Sequence, residues 1–521
     1  MRQTTLLVTF LFLLSACGGG SSSANLPVEG LELEQKQEPV AIPVAAPSIS
    51  QISFSAANNS GLPADMMLDN AETNAVFTGR VEVNTPVSGL VASYEFTGSS
   101  VTIDGLVQES GTSVNDFTDV IVYTVANSEG ATESYSVNLT KFTGLPIIYL
   151  ETNNTAPIDS KDDYVTGDVL IDGGRSFIDL PATEMKIRGR GNSTWFLHPK
   201  KPFQMKLEDK TEFLGMPRDK KWLFLAEYSD KTLLRNKITF EMGYLSHLDW
   251  TPQGRFAEVY INDRYNGTYN ITQKVEESDN RVALGGSGYL LELDQLERLD
   301  ADDVYFDSVI TERFLINIKE PSLAVGSAEY TYIKDLLGDF ETALYGPSYR
   351  SATIGYAKYI DLDSFVDWYL INEITKNQDS QSWSSMFVNV MPGEKIKMGP
   401  LWDFDLSFGN VDYSDAQYSS GFWVRYHPWF ERLFQDPAFV EKVKTRFAYF
   451  KQNQDFILGK IDGYADQLTW AQQENDNEWQ TIGLAVWPNP VVFDTYQEEV
   501  DHLKSWYTSR MEWLELAFTE L

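Results

Sequence analysis

Apolar residues are distributed along the chain in three regimes, and each predicts a different kind of structure. The first is a short apolar run, Leu6 to Leu14, preceded by Met1-Arg2. It is too short to span a bilayer. The second extends from about Ile49 to Phe142, where apolar and polar residues alternate with period two between turn clusters. That alternation is the signature of short, half-buried strands. Its clearest unit, Asp119 to Val125 and Ala131 to Leu139 joined by Asn127-Ser-Glu-Gly130, predicts a β-hairpin. The third regime begins after Gly144-Leu-Pro146. Strand-like runs (Ile147 to Leu150, Phe256 to Ile261) there mix with helical spacing. Lys231 to Gly243 carries Leu233, Leu234, Ile238 and Phe240 and predicts an amphipathic helix. Beyond about residue 427, Trp and Phe recur at helical spacing, as in Trp429, Phe430, Leu433 and Phe434, and later Leu503, Trp506, Trp513 and Leu516.

These regimes divide the chain into segments. Residues 1–16 read as a signal peptide, and 17–46, rich in Gly, Ser, Pro and Glu, as a tether. Residues 47–143 predict a small all-β sandwich that resembles bacterial immunoglobulin-like modules. Residues 144–521 predict an α+β domain.

Composition refines the picture. With 43% hydrophobic and 13% aromatic residues, the chain can bury a large core. A formal net charge of −34 argues against nucleic acid as a partner, because phosphate backbones select basic surfaces. It also requires any anionic substrate to be met by a local basic cluster. The single cysteine, Cys17, rules out a disulfide within the chain and a thiolate site in the folded part. The four histidines form no HExxH pair, which disfavours a histidine-built metal centre.

Cys17 follows Leu14-Ser15-Ala16, which resembles a bacterial lipobox. The resemblance implies acylation of Cys17 after cleavage and a lipid anchor outside the cytoplasm. Gly18 in the next position is compatible with sorting to an outer membrane if the cell is Gram-negative.

Candidate chemistry concentrates between Asp361 and Asn410. Asp363 is placed to cap a helix with an inner face of Phe365, Val366, Tyr369, Leu370 and Ile374. The helix runs out near Lys376-Asn377, and Asp379 follows in a polar loop. Two strand-like segments, Ser385 to Val390 and Lys395 to Met398, lead to Asp403 and Asp405. A helix, a loop carboxylate, a hairpin and a second carboxylate can face one pocket, the layout used for phosphoryl transfer. A structural alternative is that Asp403 and Asp405 only cap a turn. Upstream, Arg188-Gly-Arg-Gly-Asn-Ser-Thr194 offers glycines for close approach and arginine forks for phosphate, and Lys206 lies on a strand-like run. A basic turn on a solvated surface is the alternative there.

Six ordered segments resemble the spore-coat protein H (CotH) kinase family. They are the Arg188–Thr194 segment, Lys200-Lys-Pro-Phe203, Ser229-Asp-Lys-Thr-Leu-Leu-Arg-Asn236, Tyr265-Asn-Gly-Thr-Tyr269, Gly288-Tyr-Leu-Leu-Glu-Leu-Asp294 and Gly399-Pro-Leu-Trp-Asp-Phe-Asp-Leu-Ser-Phe-Gly-Asn410. The resemblance covers about residues 145–521. It implies an atypical protein-kinase-like domain that uses ATP with Mg²⁺ or Mn²⁺ to phosphorylate Ser or Thr on secreted or envelope proteins. It makes Asp379 the catalytic-loop aspartate, Asp403 a metal ligand and Asp405 a second one. Lys206 would pair with the ATP phosphates, Glu241 would be its ion-pair partner, and Arg188 and Arg190 would lie near the phosphates. The segment from Gln273 to Glu276 would lie near the nucleotide. The chain departs from kinases in having Ser384 where they carry a metal-binding Asn five residues after the catalytic Asp; Asn389 or Asn410 could replace it, and nothing in the sequence decides between them. It also lacks the His-Arg that usually precedes that Asp. Two other readings are a non-catalytic adhesin or matrix-binding protein on a kinase-like scaffold, and carbohydrate chemistry built on carboxylates beside Trp195, Trp402 and Trp423.

Overall fold

A computed structural model describes residues 44–521, apart from 71–74, 83–84, 175 and 382–383. The expected signal peptide, Cys17 and most of the tether lie outside the described residues. No helix among the described residues is long and apolar enough to cross a membrane.

Between Ser48 and Phe142 the described residues form a three-stranded sheet, a six-stranded sheet and a short two-stranded ladder. The expected hairpin is present as Ile121–Ala126 and Thr132–Phe142, antiparallel with Ala126 opposite Thr132. Asn127 shapes its turn: the side-chain oxygen accepts the backbone N–H of Glu129 and of Ala131, each at 3.0 Å. Gly130 completes the turn at φ +84°, which a residue with a Cβ rarely adopts. Ile52, Phe54, Phe77, Tyr123, Val125 and Val137 fill the core between these sheets.

The next layer is a closed barrel of seven strands: β1 (Ile147–Thr152), β2 (Val165–Asp172), β3 (Leu180–Gly189), β4 (Phe203–Phe213), β5 (Met216–Leu225), β6 (Gly254–Ile261) and β7 (Arg264–Gln273). The order is β1-β2-β3-β4-β5-β7-β6, closed by a parallel pairing of β1 with β6. Ile148, Ile187, Met205, Trp222, Phe224 and Ile271 point inward and fill the barrel. Period two then turns Arg188, Gln204, Lys206 and Lys221 to the outer face.

Against that outer face packs an antiparallel sheet of β8 (Tyr289–Asp294), β9 (Val304–Asp307), β10 (Leu315–Glu320), β11 (Met386–Val390) and β12 (Lys397–Met398). Its order is β9-β10-β8-β11-β12. Leu223, Leu225, Phe240, Leu290, Phe387 and Trp402 form the apolar joint between barrel and sheet. The helices are α1 (Arg235–Tyr244), α2 (Ala328–Tyr345), α3 (Leu362–Thr375), α4 (Pro437–Gln452), α5 (Gln454–Gln467), α6 (Ala471–Trp479) and α7 (Tyr496–Thr519), with shorter turns between them. Most share one core with the sheet, through residues such as Phe365, Trp429 and Leu514. The architecture is mixed α+β.

Two local expectations are corrected. Asp361, not Asp363, caps α3: its carboxylate accepts the Ser364 N–H at 2.8 Å, while Asp363 pairs with Lys442 at 2.6 Å. The 231–243 helix starts at Arg235 and is buried on nearly every side rather than amphipathic. Its polar residues are tolerated inside because they find partners. Lys237, for example, donates to the Gly254 carbonyl at 2.7 Å.

Candidate active site

The site is assembled where α3 runs out. Lys376 takes a left-handed conformation (φ 50°, ψ 50°) that ends the helix, and Asp379 follows in a short 3-10 turn, Gln378–Gln381. The β11–β12 hairpin then returns the chain to Asp403, which is also left-handed at φ 65°. Asn377 ties the two loops together. Its side-chain oxygen accepts the Asp379 N–H at 3.3 Å, and its side-chain N–H donates to the Asp403 carbonyl at 3.2 Å. The Ser385 hydroxyl donates to the Asp403 carboxylate at 3.2 Å.

The two aspartates share one electrostatic site. Burial and then the Asp403 charge push the Asp379 carboxyl up to about 6, opposed by Arg298 and a hydrogen bond with Ser384. Arg298 in turn donates to the Ser384 hydroxyl at 2.7 Å. Ser384, standing where kinases carry Asn, thus helps hold Asp379. Both proposed replacements are held by their amide N–H groups: Asn389 donates to the Gly399 carbonyl at 3.0 Å, and Asn410 to the Ser229 and Asp405 carbonyls at 3.1 and 2.9 Å, while the Asn410 side-chain oxygen, the atom a cation would take, accepts from Asn489 at 2.7 Å. Burial also pushes the Asp405 carboxyl well above the carboxylate range, and Asp403, Glu227, Asp379 and Asp230 add to the effect. Several carboxylates therefore crowd one dry region. Among the described residues, however, no group of three or more His, Cys, Asp or Glu is placed to hold a metal ion alone.

Glu227 and Asp230 come from the loop after β5. Asn236 of α1 donates to the Glu227 carboxylate at 3.1 and 3.2 Å and accepts the Phe404 N–H at 2.7 Å. It holds the Asp403–Asp405 loop against this second acidic pair. Burial, and then Asp230, push Glu227 up to about 8. Arg235 pairs with Asp230 and donates to the Ser407 carbonyl at 3.1 Å, which fixes the far end of the same loop.

The basic residues divide. Arg190 belongs to the site: burial draws its guanidinium below its ordinary range, against the opposing charges of Asp403, Asp405 and Glu227. It lies over the Trp402 ring, 5.5 Å from the centroid. Among the described residues no carboxylate closes an ion pair with it. Arg188 is turned to Tyr164, 4.8 Å from that ring, and donates to the Asp162 carbonyl at 3.3 Å. Lys206 sits on the barrel's outer face between Lys186 and Lys221 on the neighbouring strands. Glu241 is not its partner: it accepts the Tyr464 hydroxyl at 2.5 Å and pairs with Lys460 at 3.1 Å. Lys274, in the 273–276 segment, is close enough to Arg190 to feel its charge, and burial lowers it to about 8. The two glycines of the Arg188–Thr194 segment have local causes. A Cβ at Gly189 would meet the Trp195 ring at 2.3 Å, and Gly191 stands at φ +85°.

Sequence reasoning missed the roles of Glu227, Asp230, Asn236, Arg298 and Asn377. Asp230 and Asn236 lie within a segment that carried the family resemblance. The signal was there, but only the fold assigns the roles.

No curated protein matches the chain. Solved structures similar over part of it include two from Bacteroides. One is a candidate secreted protein from Bacteroides fragilis, at 18% identity and TM-score 0.14, covering 18% of this chain and 95% of that one. The other is a candidate glycoside hydrolase from Bacteroides thetaiotaomicron, at 14% identity and TM-score 0.18, covering 57% of this chain and 89% of that one. The family model described as CotH kinase protein matches residues 187–514, more than half of the chain, and the protein belongs to the CotH kinase family.

Proposed function

We propose that the protein is an atypical protein kinase, held outside the cytoplasm by a lipid on Cys17, that transfers the γ-phosphoryl group of ATP to Ser or Thr hydroxyls of secreted or envelope proteins. The observation that carries this reading is the joining of the Asp379 and Asp403 backbones through Asn377, within one buried, acidic region where the two charges feel each other.

The donors fit a hard divalent cation. Carboxylate oxygens are what Mg²⁺ prefers, and it is usually held by one or two carboxylates, the remaining positions being taken by phosphate oxygens and water. Asp403, with Asp405, would hold the ion, which supplies neutralisation of charge on the phosphates when bound. Arg190, which feels the charges of Asp403 and Asp405, adds a guanidinium there, and Lys206 stands on the barrel's outer face. In transfer, the acceptor oxygen bonds to the γ-phosphorus as the bond to the ADP oxygen breaks. The hydroxyl proton passes to the Asp379 carboxylate. Near neutral pH that carboxylate, at about 6, is mostly ionised and still basic enough to accept it. Positioning and electrostatics supply most of the acceleration.

Incubation with γ-labelled ATP and Mg²⁺ or Mn²⁺ tests the reading. Label on protein hydroxyls, together with a melting temperature raised by ATP and metal, supports it. A wild type that shows neither sinks it. Membrane fractionation of Cys17→Ala tests the anchor separately: release is expected, and unchanged membrane association refutes it.

A further inference from the structure

The chain that follows Asp405 is bound to the catalytic loop by three buried charged side chains. Lys376 ends α3, and its ammonium donates to the carbonyls of Asp415, Tyr418 and Ser420 at 2.6, 2.9 and 2.7 Å. Arg510 of α7 donates to the carbonyls of Ser419 and Gly421 at 2.9 and 2.7 Å. It also pairs with Glu373 at 2.6 Å, both side chains being fully buried. Glu373 in turn accepts the backbone N–H of Trp423 at 2.7 Å and of Arg425 at 2.9 Å. The Trp423 indole N–H reaches the Asn377 carbonyl at 2.9 Å, and the Ser414 hydroxyl bonds to Gln378. The loop that carries Asp379 is thus enclosed between the Asp403–Phe408 turn and this strap.

In kinases, the corresponding stretch after the metal-binding aspartate is where control is exerted: it is ordered by added charge or by a partner. Here the ordering charges are already part of the fold. Backbone carbonyls and amides, not a modified side chain, are what they hold, and burial keeps each bond strong.

We propose that Glu373, Lys376 and Arg510 fix residues 411–425 against the Asp379 loop permanently, so that the acceptor side of the phosphotransfer site is preformed and needs no activating modification. This rests on the kinase reading. The three are positioning residues, acting through Asn377 and Asp379.

Two measurements on the full chain test it. In hydrogen exchange without nucleotide, the Trp423 and Arg425 amides should be as protected as the α3 core, and ATP with Mg²⁺ should not change this. Rapid exchange that slows only with nucleotide overturns the proposal. In kinetics, phosphatase-treated wild type should transfer phosphate without a lag and at unchanged specific activity. Arg510→Met should lower kcat and raise the acceptor KM, with a combined loss of about a hundredfold. Its KM for ATP should stay within about twofold, and Arg510→Lys should recover part of the loss. A lag abolished by preincubation with ATP, or activity lost to phosphatase, contradicts the proposal while leaving the kinase reading intact. A wild type that never transfers phosphate removes both.

Discussion

Asn377 donates to the carbonyl of Asp403 at 3.2 Å across the junction of two loops that are more than twenty residues apart in sequence. The same side chain accepts the Asp379 N–H, so one buried amide sets the separation of the two carboxylates. Asn377→Ala leaves both backbone groups without this partner. A loss of about 1–3 kcal/mol in stability is expected, readable by urea denaturation. A fall in kcat of about tenfold to a hundredfold should accompany it, because misplacing reacting groups by about 1 Å costs that much. Unchanged kcat would mean that Asn377 does not set the geometry.

Arg190 and Glu241 should separate sharply. Arg190 faces the acidic site, and among the described residues no carboxylate closes a pair with it, so Arg190→Met should raise the KM for ATP at least about tenfold, the loss expected for a charge-assisted contact. Glu241 is engaged by Tyr464 and Lys460. Glu241→Gln should leave that KM within about twofold, and a steady-state titration of ATP distinguishes the two.

The sequence carried more of the scaffold than of the site. Period-two alternation located the Ile121–Ala126 hairpin because its turn chemistry is local. Helical spacing located α3 and the C-terminal helices for the same reason. The order of Asp379, the hairpin and Asp403 was legible too, since it is a matter of chain order alone. The partner of Glu241 was not, because it depends on how α1 rotates against α5, which is set by packing. The α1 pattern misled for a related reason. Its polar residues look solvent-facing, yet Arg235, Asn236 and Lys237 are buried against Asp230, Glu227 and the Gly254 carbonyl, partners distant from the helix face in sequence or outside it.

His427 gives a pH signature unrelated to catalysis. It is buried and stacks on Phe314 at 5.2 Å, its Nδ1 accepts the Trp429 N–H at 3.3 Å, and burial lowers it to about 3. A His lowered in the folded state stabilises above its unfolded value, near 6.5, and loses that contribution as pH falls toward 3. His427→Gln does not titrate. Its stability relative to wild type should therefore improve by up to about 2 kcal/mol between pH 7.5 and 5, seen in paired urea midpoints.

Glu258 should show the opposite sign. Burial pushes it up to about 8, and it accepts the Tyr265 hydroxyl only at 3.5 Å. A raised carboxyl contributes stability below its unfolded value, near 4.5, and loses it as pH rises through 8. Glu258→Gln should gain on wild type as pH rises from 5 to 8 and level off above. Melting temperatures of both proteins across that range provide the check.

On the kinase reading, Asp403 belongs to a phosphotransfer site and is not only a turn residue. Transfer of label from γ-labelled ATP to protein hydroxyls, in wild type and Asp403→Ala under Mg²⁺ and Mn²⁺, tests it most directly. Transfer by wild type, lost in a variant that melts normally but no longer gains stability from ATP and metal, is the predicted result. Equal transfer by the two proteins would contradict the account.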